Sequence, residues 1–189
     1  SSGSNSGSAY IFFGGITGNK TARTDANVII DGQSAADEFG NAVASAGDFN
    51  GDGKDDVIIG APTDDNNSNN NSGSAFIFFG GITGTKRAAD ANVILDGQNA
   101  GDRFGISVAS AGDFNGDGKS DVIVGADLDT TNTGNDGSAF IFFGGLTGSK
   151  LANAADVIIR GNGNGDNLGN SVSSAGDFNG DGKGDVIVG

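Results

Sequence analysis

The chain has 189 residues, with 10 basic against 24 acidic side chains (net charge -14) and no His, Cys, Met or Trp. That composition excludes a disulfide framework, Cys/His zinc sites and serine triads built on His. It also argues against nucleic acid, and against electrostatic attachment to anionic membranes, because both select basic surfaces.

Ser1 to Ser8 is rich in Ser, Gly and Asn and has no apolar stretch, so it does not read as a signal peptide. No apolar run reaches the ~18 residues of a membrane-spanning helix, so membrane insertion is not expected. The chain then enters a repeat in mid-unit. The string YIFFGG begins at Tyr10 and returns as FIFFGG at Phe76 and Phe140, and a V-I run recurs at Val28, Val93 and Val157. The string AGDFNGDGK occupies Ala46–Lys54, Ala111–Lys119 and Ala175–Lys183, spaced 65 and then 64 residues apart.

Within the first full unit four strands are predicted in order. Asn41–Asp48 alternates apolar and small polar residues, and Asp56–Ala61 is an apolar, β-branched run. Ser74–Gly80 carries Phe and Ile at neighbouring positions, and Asn92–Asp96 closes the unit. Each run is short and bounded by Gly, Asn or Asp. Helical periodicity is absent, and 36 Gly disfavour helices. The polar stretches Asp64–Ser72 and Asp129–Gly137 differ in length and composition between units, as surface loops do. Two Asn-x-Ser sequons fall in the first of them, at Asn66 and Asn70.

Four short antiparallel strands per unit predict an all-β fold, a β-propeller of four-stranded antiparallel blades with three blade equivalents per chain. The chain divides into a half-blade at about 8–32, blades at about 39–97 and 104–161, and a half-blade at about 168–189.

Between the first and second strands of each blade lies D-x-N-x-D-G-x-x-D. The copies are Asp48, Asn50, Asp52, Gly53 and Asp56; Asp113, Asn115, Asp117, Gly118 and Asp121; and Asp177, Asn179, Asp181, Gly182 and Asp185. Calcium takes six to eight oxygen ligands in a loose shell, and loop positions 1, 3 and 5 can converge when the chain curls. Position 7 (Lys54, Lys119, Lys183) offers its backbone carbonyl, Gly at position 6 permits the sharp turn, and the position-9 Asp closes the shell. The alternative is a metal-free Asx/Gly turn. Three copies with every ligand position filled favour the metal, and the expectation is three Ca2+ ions per chain. An EF-hand is excluded, since position 12 is Ile59, Val124 or Val188 within a strand rather than Glu.

Phe39-Gly40, the calcium loop and Gly60-Ala61-Pro62 together resemble the FG-GAP repeats of integrin alpha-subunit propellers. The second unit keeps Phe104-Gly105 but has Gly125-Ala126-Asp127, and the third has Leu168-Gly169. The resemblance implies a calcium-binding propeller, an extracellular or cell-surface setting, and a protein or glycan ligand on the loops of one ring face. Three blade equivalents do not close a ring, which takes four to eight blades. The complementary half-blades predict a homodimer of six blades, the alternative being a stretch of a longer propeller.

Function then divides three ways: a non-enzymatic binding or adhesion scaffold, a self-assembling structural propeller, or an accessory propeller of a secreted enzyme. No acid/base constellation stands out, so no catalytic residue is expected. Asp37-Glu38 and Asp64-Asp65 read as solvated loop charge, and Arg23, Arg87, Arg103 and Arg160 form no phosphate site.

Overall fold

Strand formation follows the β-branched and aromatic runs, and the turns follow Gly, Asn and Asp. The computed structural model describes residues 6–65, 70–130, 134, 136–163 and 165–189. In chain order the strands are β1 (Ser8–Ile11), β2 (Val28–Asp31), β3 (Ala42–Gly47), β4 (Asp56–Ala61), β5 (Ser74–Phe78), β6 (Gly84–Arg87) and β7 (Val93–Asp96), followed by β8 (Ser107–Gly112), β9 (Asp121–Ala126), β10 (Ser138–Phe142), β11 (Gly148–Leu151), β12 (Val157–Arg160), β13 (Val172–Gly176) and β14 (Asp185–Val188). A one-turn helix, α1 (Ala22–Asp25), precedes β2.

The fold is all-β, and its sheets are propeller blades in an unclosed array. Strands β3-β4-β5-β7 form one antiparallel meander and β8-β9-β10-β12 a second. On the flanks, β1 pairs with β2 alone as an antiparallel ladder, and β13 pairs with β14. The four strand segments predicted for the first unit are β3, β4, β5 and β7; β4 has the predicted bounds and the others are trimmed at their ends by one or two residues. Missed by the sequence reading are β6 and β11. They are polar and exposed, and each pairs in parallel with the outer strand of the preceding blade, β2 or β7. The ladder hydrogen bonds of a neighbouring blade hold them, and side-chain pattern does not record that cause.

Every hydrophobic cluster lies between blades. Ala46, Phe49 and Ile58 of one meander meet Val122, Val124 and Phe142 of the next. Ile30 of the first half-blade meets Ile59 and Phe76, and Val172 of the last meets Ile123 and Ile141. Strand β5 is buried along its whole length because both its faces are covered.

The Phe-Gly pair and the Gly-Ala pair are two sides of one contact. Phe104 is fully buried and packs edge-on against Phe140, with ring centroids 5.4 Å apart. Phe39 repeats this against Phe76 at 5.4 Å. The amide of Gly105 donates to the Gly125 carbonyl at 2.9 Å. Gly105 has φ +89, and a Cβ there would lie 2.3 Å from the Ser74 carbonyl oxygen of the preceding blade. A Cβ on Gly60 would lie 2.0 Å from the Gly105 oxygen. Only glycine lets the two backbones approach so closely.

Candidate functional site

The antiparallel meander puts the β3–β4, β8–β9 and β13–β14 turns at one end of the blades, where the three Asp/Asn/Gly loops lie. A bulge at Ser45/Gly47, repeated at Ser110/Gly112 and Ser174/Gly176, turns the chain into each loop. In the first loop Asp48 accepts through Oδ1 from the Asp52 amide and through Oδ2 from the Gly53 amide, both at 2.9 Å. Asn50 Oδ1 accepts from the same Asp52 amide at 2.7 Å, while Asn50 Nδ2 donates to Asp52 Oδ2 at 3.2 Å. Asp52 Oδ1 accepts from the Lys54 amide at 3.0 Å. The side chains of positions 1, 3 and 5 are therefore folded onto one short stretch of backbone. Asp113, Asn115 and Asp117 repeat the pattern, as do Asp177, Asn179 and Asp181. The position-6 glycines, Gly53, Gly118 and Gly182, all have positive φ (+86, +89 and +87).

Position 9 has another place. Asp56 is fully buried, and its Oδ2 accepts from the amides of Phe49 (3.0 Å) and Asn50 (3.1 Å). Its Oδ1 accepts from the Gly80 amide at 2.7 Å, joining the loop to the turn after β5. Asp121 does the same with Phe114, Asn115 and Gly144. Burial pushes both carboxyls up, and the amides oppose that push. Asp52 and Asp117 are lowered, chiefly by the amide side chains of Asn50 and Asn115.

The donor set is all oxygen, the chemistry of a hard cation such as calcium. Each carboxylate oxygen that accepts one amide keeps a second lone pair. Among the described residues, however, no group of three or more acidic side chains is gathered tightly enough to hold an ion as folded. Loop oxygens at positions 1, 3 and 5 come together, whereas the position-9 carboxylate is turned into the hairpin. The Lys54 side chain stays by its own loop, with Nζ 3.6 Å from Asp52 Oδ2. The side chains of Lys119 and Lys183 lie over Gly51 and Gly116 of the preceding loop.

At the opposite end the structure corrects the reading of solvated loop charge for Asp37 and Asp64, whereas Glu38 and Asp65 are exposed as expected. Asp37 is buried, and its Oδ2 accepts from the Ser34 amide at 2.8 Å. Asp64 is half-buried, and desolvation, with Asp37, Asp96 and Asp65 nearby, pushes it up to about 6. In the next blade Asp102 is buried and is pushed up to about 6 by desolvation and by Asp129. Its Oδ2 takes both the amide and the side chain of Asn99, and its Oδ1 has no partner. Asp127, which stands where the first repeat has Pro62, pairs with Arg103 at 3.1 Å. The sequence reading missed this cluster because the fold covers loop carboxylates that look solvated when read singly. Of the variable stretches, 66–69, 131–133 and 135 lie outside the described residues, and the first sequon falls among them.

The family model for the FG-GAP repeat matches residues 39–78, 104–142 and 168–189, more than half of the chain. The chain belongs to the FG-GAP repeat family. Its FG-GAP relatives include "Integrin alpha-PS2" of Drosophila melanogaster, 35% identical over 68% of this chain and 9% of that protein. "Integrin alpha-7" of Homo sapiens is 30% identical over 86% of this chain and 13% of its own length. "Phosphatidylinositol-glycan-specific phospholipase D" of Rattus norvegicus is 29% identical over 77% of this chain and 18% of that protein. The chain thus spans under a fifth of the length of these relatives. No helix among the described residues is long and apolar enough to cross a membrane.

Proposed function

We propose that this FG-GAP chain is a non-enzymatic, calcium-stabilised propeller scaffold for adhesion or for binding a protein or glycan, at the cell surface or outside the cell. The observation that carries it is the threefold recurrence of one oxygen-rich loop with the same internal hydrogen bonds. In each loop Asp48, Asn50, Asp52, the Lys54 carbonyl and Asp56, or their equivalents, are the residues that would hold the ion. Three aspartates in one short loop repel one another, and a divalent cation relieves that repulsion. An ion present at about 100 times its dissociation constant adds roughly 2.7 kcal/mol per site. The integrin relatives support the adhesive reading. The phospholipase relative supports the other one, an accessory propeller of a secreted enzyme.

The experiment is calorimetric titration of chelator-treated protein with calcium, beside melting curves with calcium and with excess chelator. The reading expects three ions per chain and a melting temperature lowered by chelator. A variant with Asp48, Asp113 and Asp177 all changed to Ala is expected to bind none. An unchanged melting temperature, or no calcium uptake by the parent, overturns it.

A further inference from the structure

Each of the three loops has asparagine at position 3 with glycine after it, as Asn50-Gly51, Asn115-Gly116 and Asn179-Gly180. Glycine has no Cβ to shield its amide nitrogen, and all three glycines have positive φ (+79, +80 and +77). That nitrogen and the asparagine Cγ are the two ends of a five-membered ring, which closes when the first attacks the second. The side-chain oxygen is already engaged. Asn50 Oδ1 accepts from the Asp52 amide at 2.7 Å, Asn115 Oδ1 from the Asp117 amide at 2.7 Å, and Asn179 Oδ1 from the Asp181 amide at 2.8 Å. Oδ1 gains negative charge as Cγ is attacked, so these amides donate where charge develops, as an oxyanion hole does.

Other asparagines carry one half of this arrangement. Asn27 and Asn92 accept amides through Oδ1, from Phe13 at 2.8 Å and from Phe79 at 2.9 Å. Val28 and Val93 follow them at the starts of β2 and β7, and a stiff β-branched neighbour hinders the attack. Asn162 is exposed and is followed by Gly163, yet its side chain makes no hydrogen bond among the described residues. Among the described residues the loops alone combine both halves. The attacking nitrogen differs between them. The Gly116 amide donates to Asp113 Oδ1 at 2.8 Å, while the Gly51 amide has no acceptor among the described residues. A carboxylate bonded to an N–H disfavours loss of its proton, so Asn50 should react before Asn115.

We propose that the loop asparagines, Asn50 first, are sites of self-deamidation that turn position 3 from an amide into a carboxylate. The Gly51 nitrogen bonds to Asn50 Cγ, the Cγ–Nδ2 bond breaks, and Nδ2 leaves as ammonia, taking up the hydrogen of the Gly51 amide. Water then opens the cyclic imide. Attack at Cγ restores the backbone and leaves aspartate, and attack at the Asn50 carbonyl carbon leaves isoaspartate. No oxidant, reductant or cofactor takes part. Asn50 Nδ2 donates to Asp52 Oδ2 at 3.2 Å, so a carboxylate gained at position 3 replaces a donor with a second anion. A loop so altered depends more on a divalent cation. That consequence rests on the proposed function, whereas the reaction itself needs no metal.

The test is incubation of the folded 189-residue chain at alkaline pH in excess chelator. Samples are digested and read by mass spectrometry for replacement of the side-chain NH2 by OH at each asparagine. An Asn50→Asp chain supplies the authentic product for comparison. The expected result is modification at Asn50 first, with Asn115 and Asn179 also ahead of Asn162, Asn27 and Asn92. One preorganised donor to an oxyanion is worth about 100-fold in an enclosed enzyme site, so in an open loop Asn50 should lead Asn162 by about 10-fold. In concentrated urea the Asp52 amide is no longer held against Oδ1, and Asn50, Asn115 and Asn162 should react alike. Unmodified loops, Asn162 level with or ahead of Asn50 in the folded chain, Asn115 ahead of Asn50, or a lead that survives in urea overturns the proposal.

Discussion

Replacing Asp56 with Ala separates the hairpin role of the position-9 aspartate from any role with a metal. The carboxylate is fully buried and accepts three backbone amides, those of Phe49, Asn50 and Gly80. Alanine leaves all three donors without an acceptor, at about 1–3 kcal/mol for each buried unsatisfied group; the Asn50 and Gly80 bonds are only partly buried and count near the low end, so the loss should be about 3–6 kcal/mol. That is a large share of the roughly 5–15 kcal/mol that holds a typical domain together. Burial raises the carboxyl, so part of the loss is offset by removing a desolvated charge. The assay is urea unfolding in excess chelator, where no ion contributes. Asp52→Ala is the control, since its side chain is exposed and its acceptors serve amides at the surface. That control should cost about 1 kcal/mol or less in chelator. If Asp56→Ala costs no more than the control, the carboxylate does not hold the hairpin, and the reasoning from its three amides fails.

Two further outcomes follow from the same geometry. Gly105→Ala puts a Cβ 2.3 Å from the Ser74 oxygen at φ +89 and should cost about 3 kcal/mol or more, whereas Gly163→Ala, whose Cβ would come no nearer than 3.6 Å to Asp166, should be nearly neutral; equal melting temperatures for the two would refute the interblade account of the Phe-Gly pair. Asp102 sits at about 6 in the folded chain against 3.8 for the free group, so the fold favours its neutral form. That contribution is complete below pH ~4 and is lost as pH rises through ~6, a swing of up to about 3 kcal/mol. Asp102→Asn should therefore be the more stable chain at pH 7.5 and equal to the parent at pH 4, measured by urea unfolding in chelator; a variant less stable at pH 7.5 would show that the carboxylate is needed in its charged form.

Much of the fold was legible because the repeat displays itself. Strands β4 and β5 could be placed from Asp56–Ala61 and Ser74–Gly80 alone, since a strand covered on both faces reads as a continuous apolar run. The turn at Gly53 could be placed because its positive φ has a residue signature. Strands β6 and β11 could not, because their partners are strands of the preceding blade and their side chains are exposed. Nor could the separation within the loop. D-x-N-x-D-G-x-x-D gives positions 1 and 9 the same residue, yet Asp48 faces the loop amides while Asp56 is drawn into the hairpin by Gly80, 24 residues onward. That partner comes from the turn after the next strand. The buried Asp37 and Asp102 and the half-buried Asp64 were missed for a related reason, since a carboxylate's burial depends on the loop that folds over it.

The two ends of the blades carry opposite sequence behaviour, and physics gives each a different role. At the loop end the three copies keep the same residues at positions 1, 3, 5, 6, 7 and 9, and their hydrogen bonds repeat within a few tenths of an ångström. Such uniformity suits a load shared equally by every blade, which is stability. At the other end equivalent positions change character together. Glu38 becomes Arg103 and then Asn167, Pro62 becomes Asp127, and Asp96 becomes Arg160. The Arg103–Asp127 pair shows that two of these changes are coupled, each side chain supplying the other's counter-charge. A partner that discriminates needs a surface whose charges differ from blade to blade, because identical loops present every blade alike. The scaffold reading therefore assigns ions to the uniform end and recognition to the varied one. Exchanging Arg103 and Asp127 for the Glu and Pro of the first blade should alter partner binding while leaving calcium uptake at the loops unchanged.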